Sequence, residues 1–591
     1  MQRRDLIRGA AAAALVPTLA RSSPYPSRAR PGTAAWPTAK AWSSLNQAVG
    51  GRLVTPTPIA AACQTDPRSS ACAGLLKDLA NPFYLGDQPG GTQVSGWLDA
   101  WRPKLSAYAV AATSASDVAA AVRFARAHNL RVVIKGGGHS YQGTSNAPDS
   151  LLIWTRRMNG VTQHAAFTPR GATAPAGPAV SVGAGAMWID AYNAVTTQGG
   201  RYVQGGGCNT VGVAGLALGG GFGSFSKQFG TAAASLLEAE IVTADGQIRV
   251  ANAHRDPDLF WALKGAGQCA FGAVTRLTFK THELADNAGG VFGSFRAASD
   301  EAFRRLLGRF ADLYAERLNN RHWGESAHVG SDNALRISMV FQGLSNAEAE
   351  AAWRPFLDWA ASDKDITAEG PRIMGGPMRG WWDFSDARRT GASFVVFDRR
   401  EGAPAHHAWW RGDGEQVSMF LHGYDSLWLP ASLLAPAERG RLADALFAAS
   451  RHFSVELHFN KGLAGGSPEA LAASRDTATN PAVLDAFVLA IIATGGLPAH
   501  PGYPAPNLAA AERNRARIEA ATAVLRPLAP AGGSYVSESN YFNADWRQAF
   551  WGSHYPRLAA IKARYDPTGL FVMRHGVGQE KWSDDGFTRL A

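Results

Sequence analysis

The sequence predicts an α+β protein: a ligand-binding domain followed by a second domain built on a helix-covered antiparallel sheet. Three observations lead there. Over 107–134 a strand, a helix and a strand follow one another and end in Gly136-Gly137-Gly138-His139-Ser140-Tyr141. A second glycine-dense stretch, 205–223, contains Gly207-Cys208-Asn209-Thr210-Val211-Gly212. Regular helices and strands do not tolerate that glycine density, so it must be loop packed closely against something. After Leu284 short alternating strands mix with alanine-rich helices without strict β-α-β alternation, the pattern of a helix-covered antiparallel sheet.

Taken in order, the chain opens with Arg3-Arg4 ahead of a weakly apolar alanine-rich run and the small-residue site Thr18-Leu19-Ala20. This order is that of a bacterial Tat-type signal and predicts export to the periplasm or beyond, with signal and leader over 1–30. Residues 21–40 are Pro-, Ser- and Ala-rich and predict a mobile leader. An N-terminal extension of mixed texture covers 31–100. In the first domain, 101–284, Ser114 or Ser116 can cap a helix over 117–128 with Val118, Val122 and Ala125 on one face. Strands are expected at 108–111, 131–134, 151–154 and 179–183. Asp245-Gly246 marks a hairpin between 237–242 and 247–250. A short helix at 256–264 and a strand at 271–279 complete the domain. The second domain, 285–530, should hold strands at 292–296, 335–341, 394–397, 417–422 and 454–459 and helices at 301–318, 346–361 and 436–451. The aromatic-rich segment 531–591 should pack on another domain.

Composition narrows the function. With 591 residues and a net charge of +10 the chain has no Lys/Arg run longer than a pair and no nucleic-acid motif, so no nucleic-acid partner is expected. No stretch is apolar enough to span a membrane. Of four cysteines, Cys63 and Cys72 are close enough to pair if the compartment is oxidising. The cysteine spacings match no zinc pattern, and no metal site is expected.

Four motifs occur in one order: Gly137-Gly138-His139-Ser140-Tyr141, Gly207-Cys208-Asn209-Thr210-Val211-Gly212, Asp258-Leu259-Phe260-Trp261-Ala262-Leu263-Lys264-Gly265 and Tyr565-Asp566-Pro567. In this the chain resembles the berberine bridge enzyme-like FAD-linked oxidases of the vanillyl-alcohol oxidase superfamily. The resemblance implies a PCMH-type FAD-binding domain and a C-terminal berberine bridge-like segment that returns to it. It implies FAD bonded twice, through His139 to the flavin 8α carbon and through Cys208 to C6. Gly136, Gly137, Gly138 and Ser140 would face the pyrophosphate. Gly143, Gly207, Thr210, Gly212 and Gly215 would complete the cradle, with Val274 on the strand that passes the cofactor. Val211 would stand near the flavin face that oxygen must reach, and a valine there resembles the oxidase members.

Hydride removal from an alcohol needs a base for the hydroxyl proton. Family members carry Tyr-x-Asn-Tyr where this chain reads Tyr535-Val536-Ser537-Glu538. Glutamate at the last position makes Glu538 a candidate base. Glu456, His458 and Asn460 fall on one face of a strand and are candidate cleft residues, as is Tyr141. The aromatic and charged segments Trp381-Trp382-Asp383 and Trp409-Trp410-Arg411-Gly412-Asp413 could line a substrate site for a ring or sugar. The expected activity is an exported FAD-dependent oxidase that removes a hydride from an alcohol, sugar or secondary metabolite and reduces O2 to H2O2. The alternatives are a flavin dehydrogenase using another acceptor, and a non-catalytic extracellular binding protein on a flavin fold.

Overall fold

Parallel strands cannot be joined by a tight hairpin, and the segment that carries the first glycine motif supplies the crossover that they require. In the computed structural model, which describes residues 27–590 apart from Gln268, Tyr108–Ala111, Ser150–Trp154 and Arg131–Lys135 pair in parallel. Helix Ala115–Ala127 crosses between the first and second of these in chain order and is capped by Ser114 in a capping box with Asp117. Its Val118, Val122 and Ala125 are buried, as the periodicity implies. The twin-arginine segment lies outside the described residues.

A second, antiparallel sheet runs Val161–Phe167, Gly177–Gly183, Gly272–Lys280, Leu236–Thr243, Ile248–Asn252 in spatial order. Asp245-Gly246 turns the hairpin as expected, with Gly246 at φ 78° and Asp245 accepting from the Gln247 amide.

The part of the leader within the described residues is ordered into this domain. Helix Ala39–Ala48 puts Trp42 against Tyr108 and Phe124, and Leu53–Val54 adds an antiparallel edge strand to the first sheet. A Pro-, Ser- and Ala-rich composition argued for mobility, yet Arg28 and Ala29 donate their amides to the carbonyls of Phe587 and Asn129 and Trp36 packs on Trp42. Cys63 and Cys72 are joined by a disulfide.

The second domain is a seven-stranded antiparallel sheet in the order Ile366–Pro377, Asn287–Ala297, Ala334–Gln342, Trp323–Val329, Val455–His458, Ala486–Gly496, Phe420–Pro430. Successive side chains alternate between its faces. Val291, Ile337, Val455, Leu457 and Ile492 pack under helices Asp300–Leu313, Asn346–Ser362, Arg439–His452 and Leu508–Leu525. Phe292, Ser338, Glu456, His458 and Ile491 instead line a cavity against the first domain. Three strands and the last helix lie where the sequence gives no alternating signal. Ala486–Gly496 reads as a continuous apolar run because both of its faces are covered through residue 492. Ile366–Pro377 contains Gly and Pro, which an edge strand tolerates. Val395–Phe397 was expected in the sheet. It instead pairs with Ala408–Trp410 in a separate two-stranded ribbon, being too short to span the sheet. The strand expected from 417 begins at Phe420.

The C-terminal segment explains two of the motifs. Tyr565 donates its hydroxyl to Asp256 and Asp258 at 3.0 and 2.9 Å. Lys562 Nζ donates to Asp566 (2.6 Å), to the Ala270 carbonyl (2.5 Å) and to the Phe571 carbonyl (2.6 Å). Asp566 also accepts from the amides of Leu570 and Phe571 at 2.7 and 2.9 Å. Lys562 and Asp566 are both buried, so each neutralises a charge that would otherwise stand alone in the core. Lys562→Met should leave Asp566 uncompensated and destabilise the fold by about 3–5 kcal/mol. Thermal unfolding of the purified variant checks this, and Arg564→Ala, which loses a partly exposed pair with Asp258 and a contact over the Tyr565 ring, should unfold within about 1 kcal/mol of the parent.

Candidate active site

Both glycine motifs are loops because they touch. A Cβ added to Gly137 would stand 3.3 Å from the Gly212 amide nitrogen, and one added to Gly212 would stand 3.1 Å from the Gly137 nitrogen. Gly136 faces the Ala184 carbonyl, 2.9 Å from where a Cβ would be. Gly138 has φ 78°, a conformation that favours glycine. The first loop is fixed from below by Lys135, whose buried ammonium donates to the carbonyls of Gln88, Pro89 and Gly91 at 2.7, 2.6 and 3.0 Å. The second is fixed by helix Trp188–Tyr192: Trp188 and Ile189 donate their amides to the carbonyls of Val211 and Asn209, each at 3.0 Å.

Between these loops, the open face of the seven-stranded sheet and the segment 535–538 lies a cavity of about 1240 Å³. That exceeds the roughly 300–1,000 Å³ of an ordinary small-ligand pocket and has room for a dinucleotide cofactor with a substrate. His139 lines it, with Nε2 buried and without a hydrogen-bond partner. Burial pushes its imidazole down to about 4, so the ring is neutral at pH 7 and carries a free lone pair. Cys208 lines the same cavity with Sγ 3.4 Å from the Thr210 hydroxyl. Burial holds its thiol well above the ordinary range.

The opposite wall carries titratable groups. Glu538 Oε2 accepts from Lys461 Nζ at 2.5 Å. Glu456 Oε1 lies 2.5 Å from His328 Nδ1. His458 has a buried, unpartnered Nδ1, and burial with help from Lys461 holds it neutral. Tyr141 donates to Gln416 Oε1 at 2.6 Å, and its ring lies 5.5 Å from that of Tyr424. Two more acids join them: Glu325, which the sequence did not single out, and Asp413, from the charged segment expected to line a substrate site. Glu325 accepts from the Ser224 hydroxyl, and burial raises its carboxyl. It has the parity of Trp323 and Ala327, which face the helices, but a φ of 61° accompanies its carboxyl's entry into the cavity. A left-handed glutamate is uncommon and marks a site worth attention. Asp413 has Oδ2 shielded from solvent without a partner. Desolvation pushes that carboxyl up to about 7.

The comparisons agree with this geometry. The FAD binding domain family matches residues 106–252, and the berberine and berberine-like family matches residues 530–578. FAD-linked oxidoreductase easE of Arthroderma otae is 30% identical over 598 residues, which cover 94% of this chain and 90% of that protein. The chain belongs to the berberine bridge enzyme-like FAD-linked oxidoreductases. The crystal structure of the VAO-type flavoprotein MtVAO615 from Myceliophthora thermophila C1 has 27% identity and a TM-score of 0.77, covering 95% of this chain and all of that one. A glucooligosaccharide oxidase from Acremonium strictum, described with a 6-S-cysteinyl, 8α-N1-histidyl FAD, shares the fold at a TM-score of 0.63 and 19% identity, covering 82% of this chain and 94% of that one.

The residues of this FAD-linked oxidoreductase fit the cofactor. A side-chain-free cradle, an orphaned buried imidazole nitrogen and a thiol face one cavity of sufficient size. Of the residues singled out from sequence, Gly136, Gly137, Gly138, His139, Ser140, Tyr141, Gly207, Cys208, Val211, Gly212, Gly215, Val274, Glu456, His458 and Glu538 all line it. Asn460 does too, although it sits in the turn after the strand. Two do not. Gly143 packs on Trp101, where a Cβ would lie 2.5 Å from the indole. Thr210 is buried behind Cys208. The paired tryptophans divide: Trp381 and Trp410 line the cavity, while Trp382 and Trp409 are core.

Asp413 gives this enzyme a testable pH response. Its carboxyl in the folded state keeps a proton that the unfolded chain releases above its ordinary range near 4. Between about pH 4 and 7 the unfolded state therefore binds fewer protons, and this group's contribution makes stability fall as pH rises, by up to about 1.4 kcal/mol per unit. Thermal scans across that window should show the wild type losing its advantage over Asp413→Asn as pH increases. A pH-independent gap between the two would refute the assignment.

Proposed function

We propose that this chain is an exported oxidase that takes a hydride from a ring-bearing alcohol and releases H2O2, with FAD bonded through both His139 and Cys208. The observation that carries the reading is the convergence of an unpartnered, neutral His139 and of Cys208 on the cavity that also holds Glu538. The doubly bonded flavin of the Acremonium strictum oxidase, on the same fold, supports it. When bound, FAD supplies the hydride acceptor and passes the electron pair to O2. The protein's own part is positioning and proton transfer. Gly136 to Gly138 admit the cofactor's phosphates to the backbone. Glu538 accepts the substrate hydroxyl proton on the oxygen that Lys461 leaves free, and Lys461 fixes the carboxylate's direction. His458 stands by as a neutral acceptor.

Two further features support the finer reading. Phe292, Met374 and Phe394 are 38%, 53% and 58% exposed and line the cavity. An apolar mouth favours an aromatic or terpenoid alcohol over a free sugar. The Cys63–Cys72 disulfide suits the oxidising compartment that the twin arginine implies. Val211, partly buried in the cavity wall, would leave more room there for oxygen than a bulkier side chain.

Acid-precipitated protein should keep its yellow colour in the pellet for the wild type, His139→Ala and Cys208→Ser, and lose it to the supernatant only in the double variant. Glu538→Gln should retain the pellet colour and lose about 10²–10⁴-fold in kcat in a peroxide-coupled assay with an apolar aromatic alcohol. Stopped-flow mixing of photoreduced enzyme with O2 separates oxidase from dehydrogenase: negligible reoxidation sinks the oxidase reading. Replacing Arg3 and Arg4 by lysine should keep the protein in the cytoplasm.

A further inference from the structure

Outside the flavin cavity, Asp190, His406 and His407 bring three ligand atoms to one point. Asp190 Oδ1 lies 3.1 Å from His406 Nε2 and 3.0 Å from His407 Nε2, and all three atoms fall within 4.8 Å of one another. None of the three residues lines the cavity. The site is built rather than incidental. Asp190 sits in helix Trp188–Tyr192 and is oriented by the Met187 amide, which donates to Oδ2 at 3.0 Å. The His407 ring stacks on Phe83, with centroids 4.1 Å apart and planes 8° off parallel. Its side chain is 8% exposed and that of Asp190 14%, while His406 at 28% leaves one side of the cluster open to water.

The donor set is what points to a ligand. Two imidazole nitrogens and a carboxylate oxygen from two separate segments converge on one point. Among the described residues Asp190 has no lysine or arginine within ion-pair distance, so no basic side chain occupies that point. We propose that Asp190, His406 and His407 bind a divalent ion of the zinc class, with water from the His406 side as the fourth ligand. Bonds of roughly 2.0–2.2 Å in a tetrahedral shell set the ligand atoms ~3.3 Å apart. The two Asp190–imidazole separations need open only by a few tenths of an ångström to admit the ion. Two imidazoles and a carboxylate suit a borderline ion better than Mg²⁺ or Ca²⁺, which prefer oxygen.

The position gives the ion a structural task. His406 and His407 immediately precede Ala408–Trp410, the ribbon strand that delivers Trp410 and Asp413 to the cavity. Asp190 belongs to the helix whose first amides hold the cysteine loop at Asn209 and Val211. The ion therefore clamps the substrate-domain ribbon to the element that positions Cys208.

The test uses tag-free, full-length, flavin-loaded protein, stripped with chelator and dialysed against zinc. Metal analysis should find about one retained zinc per chain, with a Tm a few degrees above that of the stripped protein. His406→Gln, at a partly exposed position, should remain folded and yellow in chelator, lose the Tm response and bind zinc at least about tenfold more weakly. Asp190→Asn should behave alike. Zinc retained equally by the parent and both variants, or a parent Tm indifferent to zinc, overturns the proposal.

Discussion

The backbone contact between Gly137 and Gly212 is the constraint on which the site depends. With a Cβ on either residue only 3.1–3.3 Å from the other's amide, two loops separated in sequence by several strands and helix Trp188–Tyr192 are held at main-chain distance. His139 follows one glycine by two positions and Cys208 precedes the other by four. Their convergence on one cavity is thus a consequence of close backbone approach, which only glycine permits. The supports on either side serve the same contact: Lys135 pins the first loop to the N-terminal extension, and helix Trp188–Tyr192 pins the second.

The seven-stranded sheet completes the enclosure through the alternation of its side chains. One face is committed to four helices and is apolar. The other is freed to carry Glu456, His458, Ser338 and Ile491 toward the cofactor cradle. Polar groups there do not weaken the core, because the core lies on the other side. Glu325 is the exception in parity: this left-handed residue pairs with Met339 on one side, while pairing with the other neighbouring strand begins only at Ser326. The low dielectric of the cavity then acts on each group according to its charge. It keeps His139 and His458 neutral and raises the carboxyls of Asp413 and Glu325.

The first domain was legible because its signals are local. The Ser114 cap with Asp117 three residues on, the Asp245-Gly246 turn and the glycine runs each act within a few residues, and each element appeared near its expected bounds. The motifs also named two loops that line the cavity, through His139 and Cys208. Gly143 was misassigned because a glycine that makes room for an indole looks, in sequence, like one that makes room for a ligand. The ordered leader and the separate ribbon were missed because a few anchoring contacts, or a strand of three residues, carry too little periodicity to read.

The sequence by itself determined the two glycine runs and the histidine and cysteine beside them, since these rest on local residue chemistry, and the family resemblance added that Glu538 stands where a tyrosine is expected. Only the tertiary structure decided what surrounds them. Glu538 meets Lys461 across 77 positions, Asp190 meets His406 across 216, and Lys562 reaches Ala270 across 292. Charges in a protein interior select their partners by distance in space, and chain order carries no record of that distance until the sheets and loops have closed.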